Sequence, residues 1–117
     1  MTAAELSAEL ARALGYFPEC VRIVTAGKFD SWPTHCEVYR EYVEGHPRTL
    51  CGWMSFHYTD PTVYGPLVAW LVRNGGVMLC GLDNDGVGLV YKGWKTLEAD
   101  TLPEAVARAC IAVRSGR

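Results

Sequence analysis

At 117 residues the chain has the length of one domain built on one hydrophobic core. Half of its residues are apolar and 21% are charged, which fits a folded protein and excludes a disordered one. A formal net charge of −2 provides no broad basic field for phosphates, which disfavours nucleic acid as a partner, and falls far short of an acidic mimic of DNA.

The spacing predicts a first helix over residues 2–14. Thr2 can cap it, Glu5 stands three residues on, and Leu6, Leu10 and Leu14 repeat at i+4. Gly15 and Pro18 end it. Residues 21–25 form a β-branched run and read as a strand, followed by a loop over 27–33. Residues 34–45 carry mixed signals. Gly45 and Pro47 punctuate a helix, yet Val38, Tyr39, Tyr42 and Val43 favour a strand. A hairpin is the reading preferred here, with residues 45–48 turning the chain into residues 49–58. There Met54, Phe56 and Tyr58 alternate with Trp53, Ser55 and His57, the pattern of a half-buried strand.

Thr59-Asp60-Pro61 reads as a turn or helix cap. A second helix follows, most securely over 66–73, with Leu67, Trp70 and Leu71 on its buried side, Val63 one turn earlier, and Asn74-Gly75-Gly76 as its stop. Residues 77–82 form a nearly continuous apolar run, as expected of a central buried strand. Asp83-Asn84-Asp85-Gly86 turns it into a strand over 87–91, and 94–99 give a short last strand. Thr101-Leu102-Pro103-Glu104 then opens a closing helix whose Val106, Ala109, Cys110 and Val113 line one face, with Glu104 and Arg108 paired opposite.

Five cysteines, Cys20, Cys36, Cys51, Cys80 and Cys110, make an odd number, and two of them sit in apolar patterns. The first residues show no basic leader, and no run approaches about 20 apolar residues. The expectation is a reduced, cytoplasmic setting with no membrane partner.

Several motifs invite chemistry and fail on spacing. His35, Cys36, His46, Cys51 and His57 cluster in sequence without the paired knuckles of structural zinc, so no metal ligand is assigned. Asp83-Asn84-Asp85-Gly86 does not register as a calcium loop: Lys92 falls where the terminal acid belongs. The glycines at 86 and 88 lack the third of a dinucleotide fingerprint. Ser55 and His57 share a strand face but stand too far apart for a nucleophile and its base. No catalytic residue and no cofactor is therefore assigned. Aromatics remain. Trp32 and Trp94 lie in loop-like context and Trp53 shares the Ser55/His57 face, so Trp32, Trp53, Ser55, His57 and Trp94 are the candidate binding residues. Lys92-Gly93-Trp94-Lys95 alone is a weak hint of single-strand binding.

Two blocks carry a family likeness. Tyr58-Thr59-Asp60-Pro61 with the Trp70-bearing segment 63–73, and residues 99–109 (Ala-Asp-Thr-Leu-Pro-Glu-Ala-Val-Ala-Arg-Ala), resemble the corresponding blocks of the phage α-β-α sandwich domain family of small (pro)phage proteins. The likeness covers about half of the chain, and residues 29–48 depart from it. It implies a phage or prophage origin, a host-cell cytoplasmic location and an α+β fold, and no catalytic residue comes with it.

The fold expected is α+β: a single domain over 1–117, with a mainly antiparallel sheet of about four to six strands packed with three helices, sandwich-like. The function expected is that of a non-enzymatic accessory protein binding a host protein, acting on host machinery or defence. The alternative is a small-molecule or nucleotide-binding, sequestering protein whose pocket uses tryptophans and His57. Either would be compatible with a homodimer.

Overall fold

Thr2 starts the first helix as its chemistry dictates: its hydroxyl accepts the amide of Glu5 at 3.2 Å and donates to the Glu5 carboxylate at 3.1 Å. Helix α1 runs Ala3–Ala13. Gly15, at φ +104°, lets the chain turn back, with Gly15 N–H donating to the Arg12 carbonyl and Tyr16 N–H to that of Ala11, the paired bonds of a Schellman ending. The computed structural model describes residues 2–29, 32–45, 47–48, 51–75, 78–83, 86–91 and 95–114.

After a 3-10 turn at Pro18–Cys20 come strands β1 (Val21–Val24), β2 (His35–Arg40) and β3 (Gly52–Phe56), joined antiparallel in that order. The ambiguous segment is thus a strand, as the hairpin reading expects. It ends at Arg40, leaving Tyr42 and Val43 exposed. The Ala26 amide donates to the Thr34 hydroxyl at 3.0 Å and ties the β1–β2 loop. Alternation along the strands sends Val21, Cys36, Val38 and Phe56 inward, where they are buried together with Leu6, Leu10 and the alanines of α1. Leu14, the third leucine of that row, is only half-buried. This helix-covered sheet lies in the first of two compact units, residues 1–57.

The second unit, residues 58–117, begins with helix α2, Pro61–Gly75. Asp60 caps it: its carboxylate accepts the Thr62 amide at 2.9 Å and hydroxyl at 2.8 Å, and Pro61 takes the first helical position, where its missing N–H is no loss. Of the two readings of Thr59-Asp60-Pro61, turn or helix cap, the cap is the one that forms, so the helix begins five residues before its most secure stretch and Pro66 lies inside it. One ladder bond is lost there, which the cap and the apolar face outweigh. Leu67 and Leu71 are buried as predicted, whereas Trp70 is half-buried beneath the Arg114 guanidinium, 4.4 Å from its ring centroid.

Strands β4 (Met78–Asp83), β5 (Gly86–Tyr91) and β6 (Lys95–Ala99) follow as an antiparallel meander, with Asp83 opposite Gly86. The order β4-β5-β6 makes β5 the middle strand, so the apolar run expected at the centre is a border strand of this sheet. Helix α3, Leu102–Arg114, packs on β5 and β6, and α2 packs on α3. Its Thr101 hydroxyl accepts the Glu104 amide at 3.4 Å, while the Glu104 carboxylate reaches back to the amide of Asp100 at 3.2 Å. Val106, Ala109 and Cys110 are buried on its inner face, and Val113 is half-buried. Burial pushes the Cys110 thiol up to about 12.

The class is α+β, with three helices among the described residues. Among the described residues one sheet of four to six strands does not form. The described strands divide into two sheets of three. Two sheets arise because each hairpin or meander closes with its own sequence neighbours, and each is covered by a helix of its own unit, α1 on the first and α3 on the second.

Candidate functional site

The outward face of the β1-β2-β3 sheet carries the polar and aromatic half of the strand alternation. Register aligns Arg22, Glu37 and Ser55 in one row across the three strands, Val24 opposite His35 in the next, and Tyr39 opposite Trp53 on the other side. Neighbouring rows on one face are close enough for long side chains to meet.

They do meet. Arg22 donates from Nε (2.9 Å) and Nη2 (2.7 Å) to the same Glu37 oxygen, and its guanidinium carbon lies 3.9 Å from the Trp53 ring centroid. Tyr39 packs edge-on to Trp53 at 5.5 Å between centroids. Trp53 and Tyr39 nonetheless remain 37% and 39% exposed, so they are braced and available at once.

His35 completes the cluster from the same strand. Its Nδ1 is 2.9 Å from the Pro33 carbonyl and its Nε2 is 3.2 Å from the second Glu37 oxygen. Both partners are acceptors, so only the doubly protonated ring satisfies both. The Pro33 carbonyl first, then the Glu37 carboxylate, hold the imidazole above its ordinary value. Glu37 is held below its own, first by Arg22 and then by His35.

Beside this cluster lies an open cavity of about 600 Å³. Arg22 and Val24 line it from β1, His35 and Glu37 from β2, Ser55 from β3, His57 from the residue after it, and Trp32 from the loop before β2. Of the candidate binding residues, Trp32, Ser55 and His57 thus share one cavity. Trp53 stands on the same sheet face, outside the cavity lining. Trp94 lies outside the described residues.

Comparison with protein-family models, curated proteins and solved structures finds no match to this chain. The site therefore stands on its own geometry.

Arg22 and Glu37 are the residues that sequence patterning passes over, and it weighs His35 only as a metal ligand and Tyr39 only as a strand former. Each belongs to an i, i+2 alternation, Arg22/Val24 and His35/Glu37/Tyr39, that would have exposed them once a strand pairing was assumed. Among the zinc-type residues, adjacent His35 and Cys36 point to opposite faces, Cys36 being fully buried with its thiol pushed up by desolvation. His46 lies outside the described residues, and among those described no three His, Cys, Asp or Glu side chains group as a metal would need. Among the described residues, too, no helix is long and apolar enough to cross a membrane.

Proposed function

We propose that this chain is a non-enzymatic interaction module, a small (pro)phage-encoded accessory protein that works in the host cytoplasm by docking on a host protein. One observation carries the docking: Arg22, Trp53 and Tyr39 stand together on an open sheet face, the first two 3.9 Å apart. Arg, Trp and Tyr are the residue types that dominate binding hot spots, because they combine large contact area with polar handles. Bracing by Glu37 lowers the side-chain entropy lost on binding. The phage origin rests on the resemblance of residues 58–73 and 99–109 to the sandwich-domain family, which is likeness and not chemistry.

The test is affinity capture from bacterial host lysate with three baits: the wild-type chain, Trp53→Ala, and Glu9→Ala on the exposed side of α1. A host protein retained by wild type and Glu9→Ala, lost by Trp53→Ala and then bound in purified form supports the reading. Capture that ignores Trp53 overturns it. Self-association that depends on Trp53, measured by sedimentation, would replace the host protein with a second copy.

A further inference from the structure

We propose that the cavity beside Trp32 is a binding site for a planar aromatic anion, of the size of a nucleoside monophosphate. This goes beyond the docking face and does not depend on it.

Size comes first. A volume of about 600 Å³ lies within the range of roughly 300–1,000 Å³ typical of small-molecule sites. The loop before β2 supplies an aromatic wall. Trp32 lines the cavity yet is 50% exposed, so a π face is open to stacking.

Charge decides the sign of the ligand. Arg22 and, when protonated, the doubly hydrogen-bonded His35 flank the single carboxylate of Glu37 as two cations. Arg22 spends Nε and Nη2 on Glu37, and among the described residues none takes its Nη1. That leaves planar donors for a phosphate or carboxylate oxygen, the geometry a guanidinium recognises best. His35 contributes charge alone, since both of its ring nitrogens are engaged. Ser55 and His57 bring a hydroxyl and a second imidazole to the same lining. A cationic ligand would meet the two cations with only a carboxylate already shared between them.

The experiment is an NMR titration of the 117-residue chain, following the backbone amide signals of Glu37 and Ser55 in every variant and, in wild type, also the indole N–H signal of Trp32, identified by its loss in Trp32→Phe. The probes are adenosine 5′-monophosphate, indole-3-acetate, adenosine and inorganic phosphate. Saturable binding of either aromatic anion is expected, with adenosine and phosphate alone each about tenfold weaker or more, because each keeps only one of the two recognition elements. Trp32→Ala is expected to weaken binding about tenfold, as loss of one stacking partner does, while Trp32→Phe keeps most of it. Affinity should fall as pH rises and His35, which shares the lining with Glu37, Arg22 and His57, loses its proton. Whichever anion binds tighter tells phosphate from carboxylate, and both outcomes support the site. No saturable shift up to about 10 mM of either anion overturns it. So does adenosine binding as tightly as its monophosphate, or indifference to Trp32→Ala in a variant whose thermal midpoint is unchanged. Because Trp53 is untouched here, failure of this site and failure of the docking face are separable.

Discussion

Arg22 and Trp53 stand on the two outer strands of one three-stranded sheet, and the guanidinium crosses the middle strand to lie 3.9 Å from the indole centroid. Glu37, on the strand between them, fixes the guanidinium with two hydrogen bonds to one oxygen. Cation–π attraction at a partly exposed site contributes about 0.5–1 kcal/mol. A double-mutant cycle of Arg22→Ala and Trp53→Ala, read by urea denaturation, should give a coupling of about that size. Glu37→Gln should shrink the coupling, because the guanidinium loses its charged anchor. A coupling near zero in the wild-type background would mean that the stack contributes only shape.

The Glu37–His35 pair sets a pH dependence whose sign follows from the two shifts. His35 is raised above 6.5, so its contribution to stability is full below 6.5 and fades as pH rises through its folded value. Glu37 is lowered below 4.5, so its contribution is full above 4.5 and fades as pH falls through its folded value. Both act together between about pH 4.5 and 6.5. Thermal midpoints measured across pH should therefore decline on the alkaline side of that window, and His35→Gln should flatten this limb while leaving the acid limb in place. An unchanged alkaline limb in His35→Gln would assign the titration to another group.

On α3 the two faces should respond very differently. Val106 is 4% exposed, so Val106→Asp places an unpaired carboxylate in the core and is expected to cost several kcal/mol, on the order of the largest single-residue effects. Arg108 donates to Glu104 at 3.2 and 3.0 Å from a partly exposed position, and an i,i+4 pair of this kind contributes only a few tenths of a kcal/mol. Denaturation midpoints of Val106→Asp and Arg108→Ala decide it. Equal shifts would reverse the assignment of the core face.

Short-range signals were the legible part. Thr2 with Glu5, Gly15, and Thr101 with Glu104 act within a turn of their own positions, and their caps form much as the residue types predict. The hairpin reading of residues 34–45 held because Val38 and Tyr39 suit a pleated, half-buried strand better than a helix. Residues 59–61 fit a turn as well as a helix cap, and the hydrogen bond from the Thr62 amide to the Asp60 carboxylate decides for the cap, one and a half turns before Pro66. Placing the apolar run 77–82 at the centre of a sheet also went astray: apolar character says nothing of strand order, and the β4-β5-β6 meander puts β5 in the middle.

The sequence by itself determined the helix caps, the strand alternation and the α+β class, because each depends on residues within a few positions of one another. It also singled out Trp32, Trp53, Ser55 and His57, whose aromatic and polar character is a property of the residue. Only the tertiary structure decided that the strands form two sheets of three, and that Arg22, Glu37 and Trp53 meet. Those three lie 15 and 16 residues apart along the chain, and nothing local couples them. Strand register does: shifting any pairing by one residue would send its side chains to the opposite face, and the cluster with its cavity would not exist.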